Sequence, residues 1–162
     1  MDVSKIGIAL TLGLAVVVGT GAFRKDAAGA AGAKMVYVRG PADPDCAGEL
    51  ARAKAGGDAS RLFLTELKCK VHAVWKCPAI CKGDELLVAH VAVKIQRNGL
   101  PSDSRVVSNS ERRDYDDMSV KALEAGAPFP APPQPLLDAS GSAPLKVEFA
   151  CDCFERPDKP KK

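Results

Sequence analysis

The sequence predicts an α+β fold in which a small antiparallel sheet packs against a helix. Two segments, Asp84–Arg97 and Leu145–Phe154, alternate apolar with polar residues over much of their length, which is the period of a half-buried strand. Between them, Asp114–Ala125 has an acidic first turn and a glycine just past its end, as expected of a helix. The dipeptide Asn98-Gly99 indicates a hairpin after the first strand.

The hairpin supplies two of the expected strands. Asp84–Arg97 is rich in β-branched residues and runs directly into Asn98-Gly99. Because Pro101 and its polar neighbours lengthen the loop, the return strand is expected at roughly Ser104–Ser108.

The helix and the segment after it come next along the chain. Asp114 is placed to cap the helix, because its side-chain oxygen can accept from the first unpaired N–H groups. The helix should run to Ala125 and stop at Gly126. Residues 126–135 contain five prolines, so they should be extended, with Phe129 as their only large apolar anchor.

The region before the hairpin carries shorter patterns. Met35–Val38 is compatible with a short strand, and Asp45 can cap a helix over Cys46–Ala55 that ends at Gly56. From Lys68 to Cys77 the apolar residues fall on alternate positions, which predicts a strand with one buried face.

The first segment indicates export. Lys5 precedes Ile6–Phe23, a stretch of 18 residues without a charge. As a helix it would reach about 27 Å, just enough to span the hydrocarbon layer of a membrane. The small residues Thr20, Gly21 and Ala22 also fit a signal-peptidase site, so a retained anchor and a cleaved signal both remain open.

Changes of composition divide the chain into five parts. They are a membrane anchor or signal peptide at 1–25, an Ala/Gly-rich linker and turn at 26–45, a cysteine-containing segment at 46–83, a C-terminal domain at 84–155 and a basic tail at 156–162.

The order of these elements resembles the C-terminal domain of the TonB/TolA family of periplasmic energy-transducing proteins. The segments that carry the resemblance are Trp75–Pro78, Val91–Gly99, Ala122–Ala125, Pro128–Pro130 with Pro132-Pro133, and Leu145–Phe149. The resemblance implies a three-stranded antiparallel sheet with one packed helix, anchored to the inner membrane through residues 6–23 and facing the periplasm. It also implies inner-membrane motor proteins and an envelope protein, such as an outer-membrane transporter, as partners.

In this family the last strand is an exposed sheet edge that accepts a peptide from the partner as an extra strand. The resemblance therefore implies a partner-binding edge at Leu145, Lys146, Val147, Glu148 and Phe149. The alternative is an edge that the charges of Lys146, Glu148 and Asp152 merely protect from aggregation.

Six cysteines in a short chain fit an oxidising compartment better than the cytosol. Six cysteines allow 15 pairings, so sequence alone fixes none. If the last strand runs antiparallel to the first hairpin strand, its two cysteines come near the pair that precedes the hairpin. We therefore expect one or two bridges between Cys77 or Cys81 and Cys151 or Cys153, with Cys46 and Cys69 left as a third pair.

Other chemistries are disfavoured by the residue patterns. Cys69, His72, Cys77 and Cys81 have a spacing that zinc can use, but His72 falls on the opposite face of the predicted strand, so we expect no metal. There is no G-x-S-x-G frame and no phosphate-binding glycine loop, so we expect neither an enzyme nor a cofactor. The net charge of +3 is too small and too dispersed for nucleic-acid binding.

The expected function is that of a membrane-associated periplasmic TonB-like protein, which binds an envelope partner by strand addition in energy transduction or in transport across the outer membrane. The alternative is a periplasmic or secreted disulfide-stabilised structural or binding protein, released by signal cleavage and without motor coupling.

Overall fold

A computed structural model of the chain describes residues 32–40, 45–77 and 85–152. Within them the chain forms four strands, three α-helices and one 3-10 turn. In order these are β1 (Lys34–Gly40), α1 (Cys46–Ala55), α2 (Ala59–Val74), β2 (Leu86–Ile95), β3 (Pro101–Ser108), α3 (Arg113–Ala125), the 3-10 turn (Gln134–Leu136) and β4 (Ala143–Asp152).

The four strands form one mixed sheet in the order β1-β4-β2-β3. β4 pairs antiparallel with β2 and parallel with β1, where Lys34 lies opposite Leu145 and Gly40 opposite Cys151. The expected count of three strands is therefore wrong by one, because the segment just before Gly40 joins the sheet. No helix in the described residues is both long enough and apolar enough to span a membrane, and residues 6–23 lie outside them.

The expectation that Leu145–Phe149 forms an open edge is wrong. β1 pairs with β4 along one flank and β2 pairs with it along the other, so the strand lies inside the sheet. Its apolar side chains, Leu145, Val147 and Phe149, are at most 2% exposed. A strand whose backbone groups are paired on both sides has none left for a partner.

The prediction of a strand from Lys68 to Cys77 is also wrong, because the chain is helical to Val74. Asp58 is the N-cap of this helix, and its side chain accepts from the backbone N–H groups of Ser60 and Arg61. Its buried residues recur with a helical period rather than a period of two. They are Phe63, Leu67, Val71 and His72.

Other local predictions agree with the structure. Asp45 caps α1 by accepting from the backbone N–H of Gly48 at 2.9 Å, and β2 and β3 form the expected hairpin, although β3 already begins at Pro101 rather than at Ser104. The cap of α3 is the exception: Arg112 holds the N-cap position without a side-chain hydrogen bond, and Asp114 lies one residue inside the helix.

The core lies between one face of the sheet and the helices α2 and α3. Trp75, directly after α2, packs its ring 5.5 Å from that of Phe149 and 6.3 Å from that of Tyr115, centroid to centroid. Phe129 anchors the proline-rich segment as expected, and its backbone N–H donates to the carbonyl of Gly99 at 2.8 Å. Residues of β1, α2, β2, α3 and β4 therefore share one core.

Candidate partner-binding surface

The residues predicted to form a binding edge are split between two environments. Leu145, Val147 and Phe149 belong to the core, whereas Lys146 and Glu148 lie half-buried on the opposite face of the sheet. Neither helix α2 nor α3 covers that second face, since both pack on the face of the apolar residues. Backbone pairing with a partner therefore has to be sought at the two strands that end the sheet, β3 and β1.

The outer edge of β3 is irregular. The strand starts with Pro101, which has no N–H to donate, and Asp103 has a positive φ of 54°. The pairing with β2 shifts register twice along this strand. A bulged edge that contains a proline and carries exposed charges is a poor template for a further strand.

The outer edge of β1 is regular. All seven residues of the strand stay in register with β4, from Lys34 to Gly40. No strand in the described part of the chain pairs with its other side. In a strand, every second residue points its N–H and C=O to the same side, so about half of the backbone groups of β1 face away from the sheet.

A groove of about 400 Å³ lies beside this edge, between β1 and α2. Lys34 and Tyr37 line it on the strand side. Arg61, Leu64 and Lys68 line it on the helix side, and their spacing of three and four residues places them on one helix face. A volume of this size lies within the range of binding pockets, about 300–1,000 Å³.

The groove has an excess of positive charge. Lys68 donates to both carboxylate oxygens of Glu49 at 2.8 Å, so these two charges neutralise each other. Asp58 accepts the hydrogen bonds that cap α2. The exposed cations Lys34 and Arg61 form no ion pair with any residue that the structure describes.

β1 is itself firmly held in the sheet. Val36 and Val38 are buried in the core at 4% and 0% exposure. The ring nitrogen Nε2 of His72 lies 2.7 Å from the carbonyl oxygen of Arg39. Because a carbonyl can only accept, Nε2 must carry the proton of this hydrogen bond. Arg39 also forms a salt bridge with Glu148.

The uncovered face of the sheet carries a polar cluster centred on Glu148. Its carboxylate lies 3.2 Å from Nε2 of His90 and 3.3 Å from Nη2 of Arg39, so it links three strands. On the core side, burial raises the pKa of Tyr115, and the charges of Asp116 and Glu148 raise it further. The phenol of Tyr115 therefore stays protonated.

Comparison with known proteins identifies the family. The family model of the TonB C-terminal domain matches residues 60–149, which is more than half of the chain. The chain belongs to the TonB C-terminal family. Among solved structures, it is similar to the NMR solution structure of the C-terminal domain of TonB from Helicobacter pylori, with 17% identity and a TM-score of 0.47 over 64% of this chain and 92% of that one. No curated protein matches it.

The TonB family match does not include β1. The matched region starts in α2 and ends in β4, so the strand that covers β4 comes from a part of the chain that precedes the match. One wall of the groove, α2, therefore lies almost entirely within the region that matches the family, whereas the other wall, β1, lies outside it. Sequence reasoning missed Arg61 and Leu64, although their helical spacing with Lys68 could have indicated a shared face.

Two disulfides tie the matched region to its flanks. Cys46 bonds to Cys69, which joins α1 to α2, and Cys77 bonds to Cys151, which joins the end of α2 to β4. Both pairings are among those expected from the sequence. Cys81 and Cys153 lie outside the described residues.

The residues of the zinc alternative are not brought together. Cys69 and Cys77 belong to two different disulfides, and His72 binds a backbone carbonyl. Residues 32–40, 45–77 and 85–152 contain no group of three or more His, Cys, Asp or Glu side chains that could hold a metal ion.

Proposed function

We propose that this chain is a periplasmic TonB-like protein that binds an envelope protein and acts in energy transduction or in transport across the outer membrane. The match of residues 60–149 to the TonB C-terminal family carries the proposal. The outer-membrane transporters on which proteins of this family act are the partner class that we infer here.

The disulfides support the compartment. Cys46–Cys69 and Cys77–Cys151 both lie within the packed region, and such bonds form and persist in the periplasm rather than in the cytosol. Residues 6–23 would deliver the chain to this compartment and hold it at the inner membrane. Because the sheet has no open edge at β4, partner binding must use another surface.

Cross-linking in intact cells tests the proposal. The full chain, produced in a cell that makes it naturally, would be treated with a short bifunctional reagent and purified under denaturing conditions. We expect identified outer-membrane proteins among the cross-linked species. A chain recovered only with cytosolic proteins, or without any cross-linked partner, would contradict the proposed function.

Cell fractionation tests the anchor separately. We expect an intact N-terminus in the inner-membrane fraction. A mature chain that begins near Phe23 and appears in the soluble periplasmic fraction would instead support the secreted alternative.

A further inference from the structure

We propose that the uncovered face of the sheet docks on the anionic phospholipid surface of the inner membrane. The inference deepens the proposed function and rests on it for the membrane anchor at residues 6–23. It concerns the side chains of a sheet face and not the backbone of a strand edge. In this position the sheet faces the lipid, while α2 and α3, which pack on its other face, are turned toward the periplasm.

Three exposed apolar side chains lie on the uncovered face. They are Leu86 on β2, Tyr37 on β1 and Val107 on β3, with exposures of 64%, 50% and 47%. The burial pattern along each strand places them opposite the core. Apolar side chains of this kind enter the boundary between headgroups and acyl chains, and the ring and hydroxyl of tyrosine suit both sides of that boundary.

Two cations stand among these apolar side chains. Lys146 on β4 and Arg105 on β3 lie opposite the same residue of β2, Ala92, so the three form one row across the sheet. Neither cation forms an ion pair with a residue in the described ranges. Since neighbouring strands are about 4.8 Å apart, the two cations start roughly 10 Å from each other. The short side chain of Ala92 leaves the space between them open to an anionic headgroup.

The acidic groups of this face do not cancel the charge of the row. Glu148 belongs to the polar cluster described above, where cationic and imidazole groups bind its carboxylate. Asp103 lies 3.5 Å from Nζ of Lys94. Asp152 lies six residues from Lys146 along β4, about 20 Å away. The row therefore keeps a positive charge, which attracts anionic lipid.

The distribution of these groups favours a lipid surface over a protein partner. The apolar side chains lie on three different strands, with charged and polar residues between them. A protein partner would need a matching relief of fixed side chains. Lipids move laterally, so headgroups and acyl chains can adjust to separate anchors, and the attraction grows with the apolar area buried and the number of cations.

The segment before β1 keeps an anchored chain close to the membrane. β1 begins at Lys34, eleven positions after Phe23, the last residue of the uncharged stretch. Eleven residues span at most about 40 Å when fully extended, which is about the width of a domain of this size. The tether gives the sheet a high effective concentration at the bilayer, so a few weak attractions are enough for docking.

Lysine acetylation in bilayers tests the docking. The full chain would be reconstituted into phosphatidylcholine bilayers with or without phosphatidylglycerol, and treated with an acetylating reagent that does not cross membranes. Mass spectrometry gives the rate at each lysine. We expect Lys94 and Lys146 to react roughly tenfold more slowly in the anionic bilayer, because two cations hold the face to it. Lys54 on α1 and Lys121 on α3 should react equally in both lipids.

Removal of the two cations provides the second measurement. Each cation near an anionic surface favours the docked state by a factor of about five. The variant R105Q/K146Q should therefore return the acetylation rate of Lys94 in the anionic bilayer to its value in the neutral one. The control R113Q/K121Q removes the same charge from α3, on the other side of the sheet, and should leave Lys94 protected. Equal effects of the two variants would overturn the inference.

Three further outcomes would also overturn the docking. Slow acetylation of Lys146 in both lipids would mean that another part of the chain covers the face. Protection that depends on protein concentration rather than on lipid would assign the face to a second copy of the chain. Equally fast acetylation in both lipids would mean that the sheet does not dock. In each case the proposed function stands, since cross-linking to envelope proteins tests it independently.

Failure of the anchor gives a different result. A chain cut near Phe23 and recovered in the soluble fraction would refute the membrane anchor of the proposed function. The docking face would then stand only if this mature chain sediments with vesicles that contain phosphatidylglycerol and not with vesicles of phosphatidylcholine alone. Sedimentation with neither would refute both.

Discussion

Gly40 lies where three elements meet: the end of β1, the residues after α2 and the end of β4. A Cβ atom at this position would lie 3.2 Å from the Cβ of Cys77 and 3.2 Å from Cζ3 of Trp75. Both neighbours are held, one by a disulfide and the other by the core. The absence of a side chain at Gly40 therefore allows β1 to approach the core.

We expect Gly40→Ala to destabilise the protein. Overpacking of this kind costs about 1–3 kcal/mol, which exceeds the roughly 0.4–1 kcal/mol that alanine recovers by restricting the unfolded chain. The urea midpoint should fall. Gly56→Ala is the control, because its φ of −74° suits alanine and its nearest contacts are 3.5 and 3.6 Å, so its midpoint should rise. Equal shifts would contradict the packing argument.

Asp138 organises the turn before β4. Its Oδ1 accepts from the hydroxyl of Ser140 at 2.6 Å and from the backbone N–H groups of Ser140 and Ser142 at 2.8 and 3.1 Å. The Ser140 hydroxyl, followed by these backbone donors, lowers the pKa of Asp138 below its ordinary value, and the charge of Lys94 adds to the effect.

Ser140→Ala should raise the pKa of Asp138 toward its ordinary value, as followed by NMR titration of the carboxyl carbon. Because the pKa is lower in the folded state, ionised Asp138 stabilises the turn above the unfolded pKa, and this contribution is lost as pH falls through the folded pKa. Ser142→Ala keeps the backbone donor and should change the pKa less. A pKa of Asp138 that is the same in both variants would contradict the assignment of the hydroxyl.

At the scale of elements, local signals predicted most of the structure. The cap at Asp45 and the glycine at position 56 define α1, and Asn98-Gly99 places the turn between β2 and β3. Alternation predicts β4, although its start lies two residues earlier than expected. These features could be predicted because each depends on a few neighbouring residues.

Two features depend on more than local pattern. In Lys68–Cys77, alternate apolar residues suggest a strand. The helix nevertheless continues through this segment to Val74, because Phe63, Leu67 and Val71 form one helical face that packs on the sheet. The position of β1 beside β4 joins segments that lie more than a hundred residues apart. Alternation shows which face of a strand is buried but not which strands are its neighbours, so the covered edge could not be predicted.

Val38→Ala tests whether β1 is an integral strand. The side chain of Val38 is fully buried, so its truncation should leave a cavity and cost about 1.5–3 kcal/mol of unfolding free energy. Val107 in β3 is 47% exposed, and Val107→Ala should cost no more than about 0.5 kcal/mol. Denaturant unfolding of both variants measures the difference. Similar small losses would mean that β1 is only loosely attached.

At the scale of the whole molecule, two covalent loops stabilise the fold. The Cys77–Cys151 bond closes a separation of 74 residues, and the Cys46–Cys69 bond closes one of 23. Longer loops lose more entropy in the unfolded chain when they are closed. The Cys77–Cys151 bond also connects the residues after α2 to β4, one of the two inner strands of the sheet.

Replacing Cys77 and Cys151 together by alanine should lower the unfolding free energy by about 2–5 kcal/mol. The loss should exceed that of the Cys46/Cys69 double variant by about 1 kcal/mol, as expected from the two loop lengths. Urea unfolding without reductant provides the comparison. A larger loss for the shorter loop would show that chain entropy does not dominate.

The parallel pairing of β1 and β4 has a mechanical consequence. The chain enters β1 at Lys34, beside Leu145, and β4 ends at Asp152, beyond the pair of Gly40 with Cys151. Tension applied between residues 34 and 152 would slide the two strands lengthwise past each other. Since the ladder bonds run across the strands, they would share such a load rather than break one after another.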